Sequence, residues 1–338
     1  MRRNHSMVNN FLLLGFSDLP GLEGLFFSAF LTIYLLTLTG NALIIIVTLV
    51  DQTLHNPMFF FLRNLSFLEI CYTSAIVPKM LENLLSEDKT ISFIGCAFQM
   101  NIFLITGAAE CFLLAAMAYD RYIAICHPLR YTLIMSDIVC SELVTSSWLA
   151  GIPMQVGQTV LVFTSHFCGS NKINHFFCDF PAVIKLVCGN TSINEHISLL
   201  EVAVLGLIPF ALISISYMCI ASTVLKMPTV EGRRKAFSTC SSHLMVVMFF
   251  YGSGITVYLK PKSSNSLDTE KFLSLFYTVL PPLLNPLIYS LRNKEVREAL
   301  RKLWKRKSIF LFGFRHTYEN SVIPRSPCTI SGFRFRFF

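Results

Sequence analysis

Two carboxylates and one ion pair interrupt stretches that are otherwise apolar, and they are the strongest chemical signals in the sequence. Glu69 and Glu110 each lie about 16 Å along a helix from the same end of their stretches, at about 1.5 Å per residue. An ionisable group so deep in apolar surroundings is costly and therefore functional by default. Two such carboxylates stay ionised together only with a cation between them. Asn41 and Asn285, at roughly 14 and 9 Å, complete a candidate cation site with Glu69 and Glu110. The competing reading is a protonated, hydrogen-bonded pair. Asp120 and Arg121 are an adjacent acid and base at the end of another apolar stretch. They read as a latch, with Arg121 near Asp120 at rest and released on activation, or as an interfacial anchor pair. Tyr217 and Tyr289 lie near the same end and are placed to hold a displaced Arg121. Arg233, Arg234 and Lys235 open a later apolar stretch on that side.

Nothing comparable points to catalysis. His5, His55, His127, His166, His175, His196, His243 and His316 are scattered, with no His-Glu-x-x-His or similar spacing. His175 and His196 share one loop, which is a weak metal signal. The chain therefore reads as a non-enzyme.

The elements that must hold these residues follow from composition. Of 338 residues, 53% are hydrophobic and 14% charged, against about 25% charged in a soluble domain. Mean hydropathy is +0.57. A water-soluble globule and a disordered chain are both excluded. Seven long apolar stretches run Leu25–Val50, Met58–Val77, Cys96–Ala118, Ile138–Val162, Ile197–Leu225, Ala236–Leu259 and Phe272–Leu291. Each is long enough to cross the hydrocarbon core as a helix, and too long for the short alternating strands of a barrel. The expected fold is all-α: a seven-transmembrane helix bundle at 25–291 and a short amphipathic cytoplasmic helix at 292–307. An extracellular N-terminus at 1–24 and a cytoplasmic tail at 308–338 flank them.

Lys and Arg favour the connectors at 51–57, 121–137, 226–235 and above all 292–307. The positive-inside rule puts these in the cytoplasm and the N-terminus outside. The net charge of +8 thus reflects membrane topology rather than nucleic-acid binding. Sequons at Asn4 and Asn190 fall on the outer side and are expected glycosylation sites. The first ten residues lack the pattern of a cleavable signal peptide, so the first span is the expected insertion signal. In 292–307, Val296, Leu300, Leu303 and Trp304 share one face, with Arg297, Arg301, Lys302 and Lys305 beside it. Such a helix is attracted to anionic membrane lipid on the inner leaflet.

An outward-facing pocket is expected where several helices present similar depth. Phe103, Leu104, Gly107 and Ala108 lie below Cys96, with Glu201 and Leu205, Tyr251 and Ile255, and Thr278 on three other helices. For each apolar residue, helix packing is the competing reading, and Gly107 and Ala108 serve either a ligand or close helix approach. Glu201 is the one charged member, able to anchor an amine or hydroxyl.

Four runs place these features in a known context. They are Met117-Ala118-Tyr119-Asp120-Arg121-Tyr122-Ile123-Ala124-Ile125-Cys126-His127-Pro128, Pro57-Met58-Phe59-Phe60-Phe61-Leu62, Lys235-Ala236-Phe237-Ser238-Thr239-Cys240-Ser241-Ser242-His243-Leu244 and Pro281-Pro282-Leu283-Leu284-Asn285-Pro286-Leu287-Ile288-Tyr289. With these runs in the family's order along the chain, it resembles an olfactory receptor, in the rhodopsin-like class of G-protein-coupled receptors, from about Phe11 to Trp304. Phe59 replaces the usual Tyr, Glu69 stands where Asp is typical, and the tail after Ser308 is longer than the norm.

The resemblance implies a small, mostly hydrophobic volatile ligand. It also implies coupling through Asp120, Arg121 and Tyr122 to a heterotrimeric G protein of the stimulatory olfactory type, with cAMP as output, at the plasma membrane. It names sodium as the cation for Glu69 and Glu110, with no other cofactor. Cys96, Cys168, Cys178 and Cys188 face the oxidising side. Spacing alone leaves three pairings open, and the expectation adopted is Cys96–Cys178 with Cys168–Cys188. A channel or transporter is the alternative class, but no inverted repeat or discontinuous span is visible.

Overall fold

A computed structural model describes residues 9–16, 21–168, 170–258, 267–293 and 295–303. In chain order its elements are β1 (Asn10–Leu13), α1 (Glu23–Val50), α2 (Pro57–Leu85), β2 (Thr90–Ser92), α3 (Phe93–Cys126), α4 (Tyr131–Ile134) and α5 (Asp137–Thr164). There follow β3 (Lys172–Ile173), α6 (Phe180–Val183), α7 (Ser192–Glu201), α8 (Ile208–Lys226), α9 (Val230–Tyr258), α10 (Leu267–Thr278) and α11 (Leu280–Arg292). A final helix, α12, occupies 295–303. The described chain is mostly helical, and the described part of each of the seven apolar stretches falls on helix, with one break at Val279. Among the described residues, four helical segments can cross a membrane alone by length and composition: α1, α2, α3 and Ser192–Lys226. The bent α4–α5 pair makes a fifth.

Sequence sets the helix ends. Asn56 accepts a hydrogen bond from the Phe59 N–H and Pro57 takes the first position of α2, where its missing N–H costs nothing. Ser92 and Ser136 cap α3 and α5 in the same way. α3 is the central helix and packs against α2, α5 and α8, while α1 packs against α2 and α11. Large apolar side chains such as Leu35, Leu36, Ile46 and Leu49 on α1 point outward, as a lipid-facing surface requires.

Three features depart from the expectation. First, the chain is not purely helical: β1 pairs antiparallel with β2 and parallel with β3. Phe11 and Leu13 are buried at the bundle mouth, so the backbone beside them must find partners, and two loops supply them. Second, Val202–Leu207 forms a π-helical segment between α7 and α8, just before Pro209, which has no N–H to continue the ladder.

Third, the stretch 272–291 is two helices, broken at Val279. Pro281 and Pro286 cannot bond the carbonyls four residues earlier, those of Tyr277 and Pro282. Other helices do so instead: the Tyr72 hydroxyl donates to the Tyr277 carbonyl at 3.2 Å, and Asn41 Nδ2 to the Pro282 carbonyl at 3.2 Å. Gly40 makes room, since a Cβ there would lie 3.0 Å from the Pro286 ring.

α12 buries Val296 and Ala299 and half-buries Leu300 and Leu303 against the bundle core. Lys302 pairs with Asp51 at 3.4 Å. Its apolar face therefore turns to protein, and its basic residues Arg297, Arg301 and Lys302 stay exposed. Trp304, Lys305 and the tail lie outside the described residues.

Candidate functional site

The end of α3 that carries Asp120 and Arg121 holds both side chains buried. Tyr131 of α4 donates its hydroxyl to Asp120 Oδ1 at 2.8 Å. Tyr122 bonds His127 Nε2 at 3.1 Å. The Tyr217 hydroxyl shares a 2.8 Å bond with His243 Nδ1, and the two rings stack at 5.8 Å. Tyr289 is buried with its hydroxyl unpartnered. Arg121 lies within electrostatic range of Tyr217, His243 and Tyr289. The residues picked from sequence thus converge, but Tyr217 is engaged by His243 here. Arg233 bonds the Met227 carbonyl at 2.9 Å, which ties it to the α8–α9 turn, and Arg234 is exposed. The Lys235 side chain lies outside the described residues. Sequence reasoning missed Tyr131 and His243. Tyr131 follows the motif by a loop whose folding back no periodicity reveals, and His243, though part of the 235–244 run, gave no sign of its partner on another helix.

Midway along the bundle, Glu69, Glu110, Asn41 and Asn285 are all buried. Asn285 Nδ2 donates to Glu69 Oε1, and the two carboxyl groups interact electrostatically. Asn41 spends its amide on the Thr37 and Pro282 carbonyls. Glu69 Oε2, Glu110 Oε1, Asn41 Oδ1 and Asn285 Oδ1 remain without hydrogen-bond partners. These are hard oxygen donors, the set an oxygen-seeking cation takes. Among the described residues no group of three or more His, Cys, Asp or Glu is assembled for a metal, so any cation here would rely on amide oxygens as well.

At the other end, the loop before α7 is a lid. Cys96–Cys178 ties it to α3, and Cys168–Cys188 closes it on itself. Gln99 Oε1 accepts the Cys178 N–H at 2.9 Å. Tyr277 donates to Asp179 Oδ2 at 2.8 Å. His175 accepts the Phe177 N–H at Nδ1, so its proton is on Nε2, which meets Ser274 Oγ at 3.0 Å. Burial, with Lys271 and Lys185 adding like charge, pushes His175 down to about 3, so the lid carries a neutral imidazole packed against the Phe176 and Phe177 rings.

Phe103 sits under this lid, with ring contacts to Phe177, Tyr72 and Tyr277. Leu104 is half-buried beside it. Gly107 faces open space, whereas Ala108 meets Gly151 of α5: a Cβ on Gly151 would lie 2.6 Å from that of Ala108. Ala108 is therefore used for helix approach. Glu201 and Leu205 are buried. Tyr251 packs on Phe210 at 5.0 Å. Thr278 is buried and donates to the Ser274 carbonyl at 2.7 Å. The Ile255 side chain and Asn4 lie outside the described residues, and Asn190 is exposed, its Oδ1 taking the Ser192 N–H at 2.9 Å. Two clefts occur elsewhere. One lies under β1, between Phe16, Met80, Asn83 and Phe176. The other lies between α1 and α2 beside Phe30, Tyr34 and Val77. Each has room for no more than about a water molecule. None of the residues expected to line the pocket borders either.

A multi-pass helical membrane protein with a disulfide-tied lid and a buried acid–arginine pair at opposite ends of one central helix has the form of a G-protein-coupled receptor. Sequence comparison agrees. The olfactory receptor family profile matches residues 30–307. Human olfactory receptor 10A5 is 54% identical over 300 residues, 88% of this chain and 95% of that one. Human olfactory receptor 10C1 is 54% identical over 302 residues, 89% and 97%, and human olfactory receptor 10A2 is 55% identical over 290 residues, 86% and 96%. The chain belongs to the olfactory receptor family, a family of signalling receptors in sensory transduction.

Proposed function

We propose that this chain is an odorant receptor of seven membrane spans, with its N-terminus outside and its C-terminus in the cytoplasm of the plasma-membrane-bounded cell. It binds a small, mostly hydrophobic volatile molecule on the lid side. It then activates a stimulatory olfactory-type G protein, which raises cAMP. The observation that carries this reading is α3 itself. One helix of 34 residues, about 50 Å long, is tied to the lid at Cys96 and ends in the buried Asp120–Arg121 pair. A ligand that shifts α3 against its neighbours changes the surroundings of Arg121 directly.

The residues assigned to the ligand are Phe103, Leu104, Gly107, Glu201, Leu205, Tyr251, Ile255 and Thr278, with Ala108 acting through its helix contact. The coupling face is Asp120, Arg121, Tyr122, Tyr217, Tyr289, Arg233, Arg234 and Lys235. Arg121→Ala is expected to abolish ligand-dependent cAMP while surface expression persists, in cells given a panel of volatile compounds. Retained ligand-dependent cAMP refutes the latch, and a ligand-gated current in its place makes the chain a channel.

Sodium is proposed at Glu69 and Glu110, with Asn41 and Asn285 completing its shell. What supports this is the convergence of their unpartnered oxygens. Bound there, the ion would offset the carboxylate charge and favour the resting packing. Basal and ligand-driven cAMP should then depend on sodium in the wild type and lose that dependence in Glu110→Gln. Equal responses with and without sodium in both forms count against the ion.

A further inference from the structure

The buried face of α5 includes Gly151, Gln155, Gln158, Thr159 and Val162, and α5 packs against α3. Asn101 of α3 donates to the Gln155 backbone carbonyl at 3.2 Å and to the Thr159 hydroxyl at 3.1 Å. Thr159 donates to the same carbonyl at 2.8 Å. These bonds fix the register of the two helices and leave both glutamine side chains aside. Gln158 is 1% exposed, and neither atom of its amide has a hydrogen-bond partner. Gln155 is 5% exposed with Oε1 unpartnered. Glu201 closes α7, which packs against α5, and it is 6% exposed with Oε1 unpartnered. The π segment that follows packs against α3. On α3, a Cβ added at Gly107 would meet no atom within 4 Å, so the central helix of the bundle is not closely covered there.

A buried amide without partners destabilises the fold, and an apolar side chain of the same shape would not. Two such amides and a buried carboxyl oxygen on neighbouring helices are accounted for if a ligand completes their bonding. We infer that Gln155, Gln158 and Glu201 form a polar subsite for the hydroxyl group of an otherwise apolar ligand, an alcohol or phenol.

The class follows from counting atoms. Gln158 offers one donor group, and Gln155, Gln158 and Glu201 offer acceptor oxygens. Both amide atoms of Gln158 are open, so the count does not depend on which way that amide is turned. A hydroxyl accepts from Gln158 Nε2 and donates to Gln155 Oε1 or Glu201 Oε1. An ether, ester or ketone on the same skeleton makes only the first bond, and a hydrocarbon makes neither. A protonated amine donates but leaves Gln158 Nε2 unmet.

The inference rests on the receptor reading above, so its test uses two readouts. Alkanols and benzyl alcohols, their methyl ethers and the parent hydrocarbons are compared by cAMP in cells. The same compounds are compared by thermal stabilisation of the purified full-length chain. Alcohols should act at concentrations about tenfold below their ethers, the worth of one hydrogen bond. Gln155→Met together with Glu201→Leu should erase that preference, whereas the nearly isosteric Gln158→Met removes the bond that alcohols and ethers share and should weaken both about tenfold. It should also hold or raise the melting temperature of the ligand-free chain, because it removes an unpartnered amide.

Ethers or hydrocarbons that match the alcohols overturn the subsite. So does an alcohol-over-ether preference that survives Gln155→Met combined with Glu201→Leu, or a Gln158→Met chain that melts lower. Alcohols that stabilise the chain without raising cAMP leave the subsite standing and refute the coupling. Alcohols silent in both readouts, while another class raises cAMP, refute the subsite and leave the receptor reading intact.

Discussion

Asp120 has two neighbours for its carboxylate, Arg121 in the chain and Tyr131 in space. The 2.8 Å bond from Tyr131 holds α4 against the end of α3, and a hydrogen bond to a charged group is worth about 1.5–3 kcal/mol. That bond belongs to the arrangement in which Arg121 is buried. Loosening it favours release of Arg121, so Tyr131→Phe, which deletes only the hydroxyl, should raise ligand-independent cAMP several-fold, up to about tenfold. The check is basal cAMP normalised to surface receptor. An unchanged basal level would mean that Tyr131 does not restrain the latch. Arg121 was legible in the sequence because its motif is contiguous. Tyr131 was not, because its role depends on a short helix folding back across the loop. The same holds for His243: the run around it reads plainly, but its bond to Tyr217 joins two helices whose rotation a single sequence does not disclose.

At the level of elements, the seven apolar stretches were readable because span length is set by the bilayer and not by neighbours. What escaped were features decided by contact between segments far apart. β1 is four residues long, too short for any period to show, and its partners are loops about 80 and 160 residues away along the chain. The break at Val279 lies beside Pro281, Pro282 and Pro286, yet the stretch reads as one continuous span in the sequence. The use of Tyr72 and Asn41 to satisfy the freed carbonyls was not legible either.

The α3–α5 contact shows how a small residue resolves an ambiguity. In a helix, Gly→Ala is intrinsically favourable by about 1 kcal/mol. At Gly151 the new Cβ would lie 2.6 Å from the Cβ of Ala108. Both atoms are fixed to helix backbones, so the helices must part, at about 1–3 kcal/mol. Gly151→Ala should therefore lower the melting temperature and the surface amount, and adding Ala108→Gly should restore both. A Gly151→Ala chain that melts higher than wild type would show that propensity wins and that the approach is loose. Full additivity of the two changes would show that they do not touch.

For the whole molecule, the count of crossing helices sets which face each connector meets. α1, α2, α3 and Ser192–Lys226 pass on length and composition, and α4–α5 passes as a bent pair. α9 is long enough, at 29 residues, but its first half carries Ser238, Thr239, Ser241, Ser242 and His243. α10 and α11 have 12 and 13 residues, each about 20 Å and short of the roughly 30 Å hydrocarbon core. Joined across the single residue Val279 they reach it. The polar groups have local answers: Ser274 meets His175, Asn285 meets Glu69, and His243 meets Tyr217. Side chains paired inside the bundle do not face lipid, so their cost for crossing is small.

Five crossings and seven both put the chain ends on opposite sides, so the connector between α9 and α10 is the place to decide. In a seven-span chain it lies on the same side as the N-terminus. In a five-span chain it lies with the C-terminus. Leu267→Thr completes an Asn-x-Thr acceptor at Asn265. In cells, the seven-span arrangement predicts an added glycan on this variant, seen as a mobility shift that glycosidase removes. A similar acceptor inserted between Met227 and Thr229 should stay unmodified. No glycan at either position is the five-span result, and it would take α9, with His243, out of the membrane and out of the activation machinery.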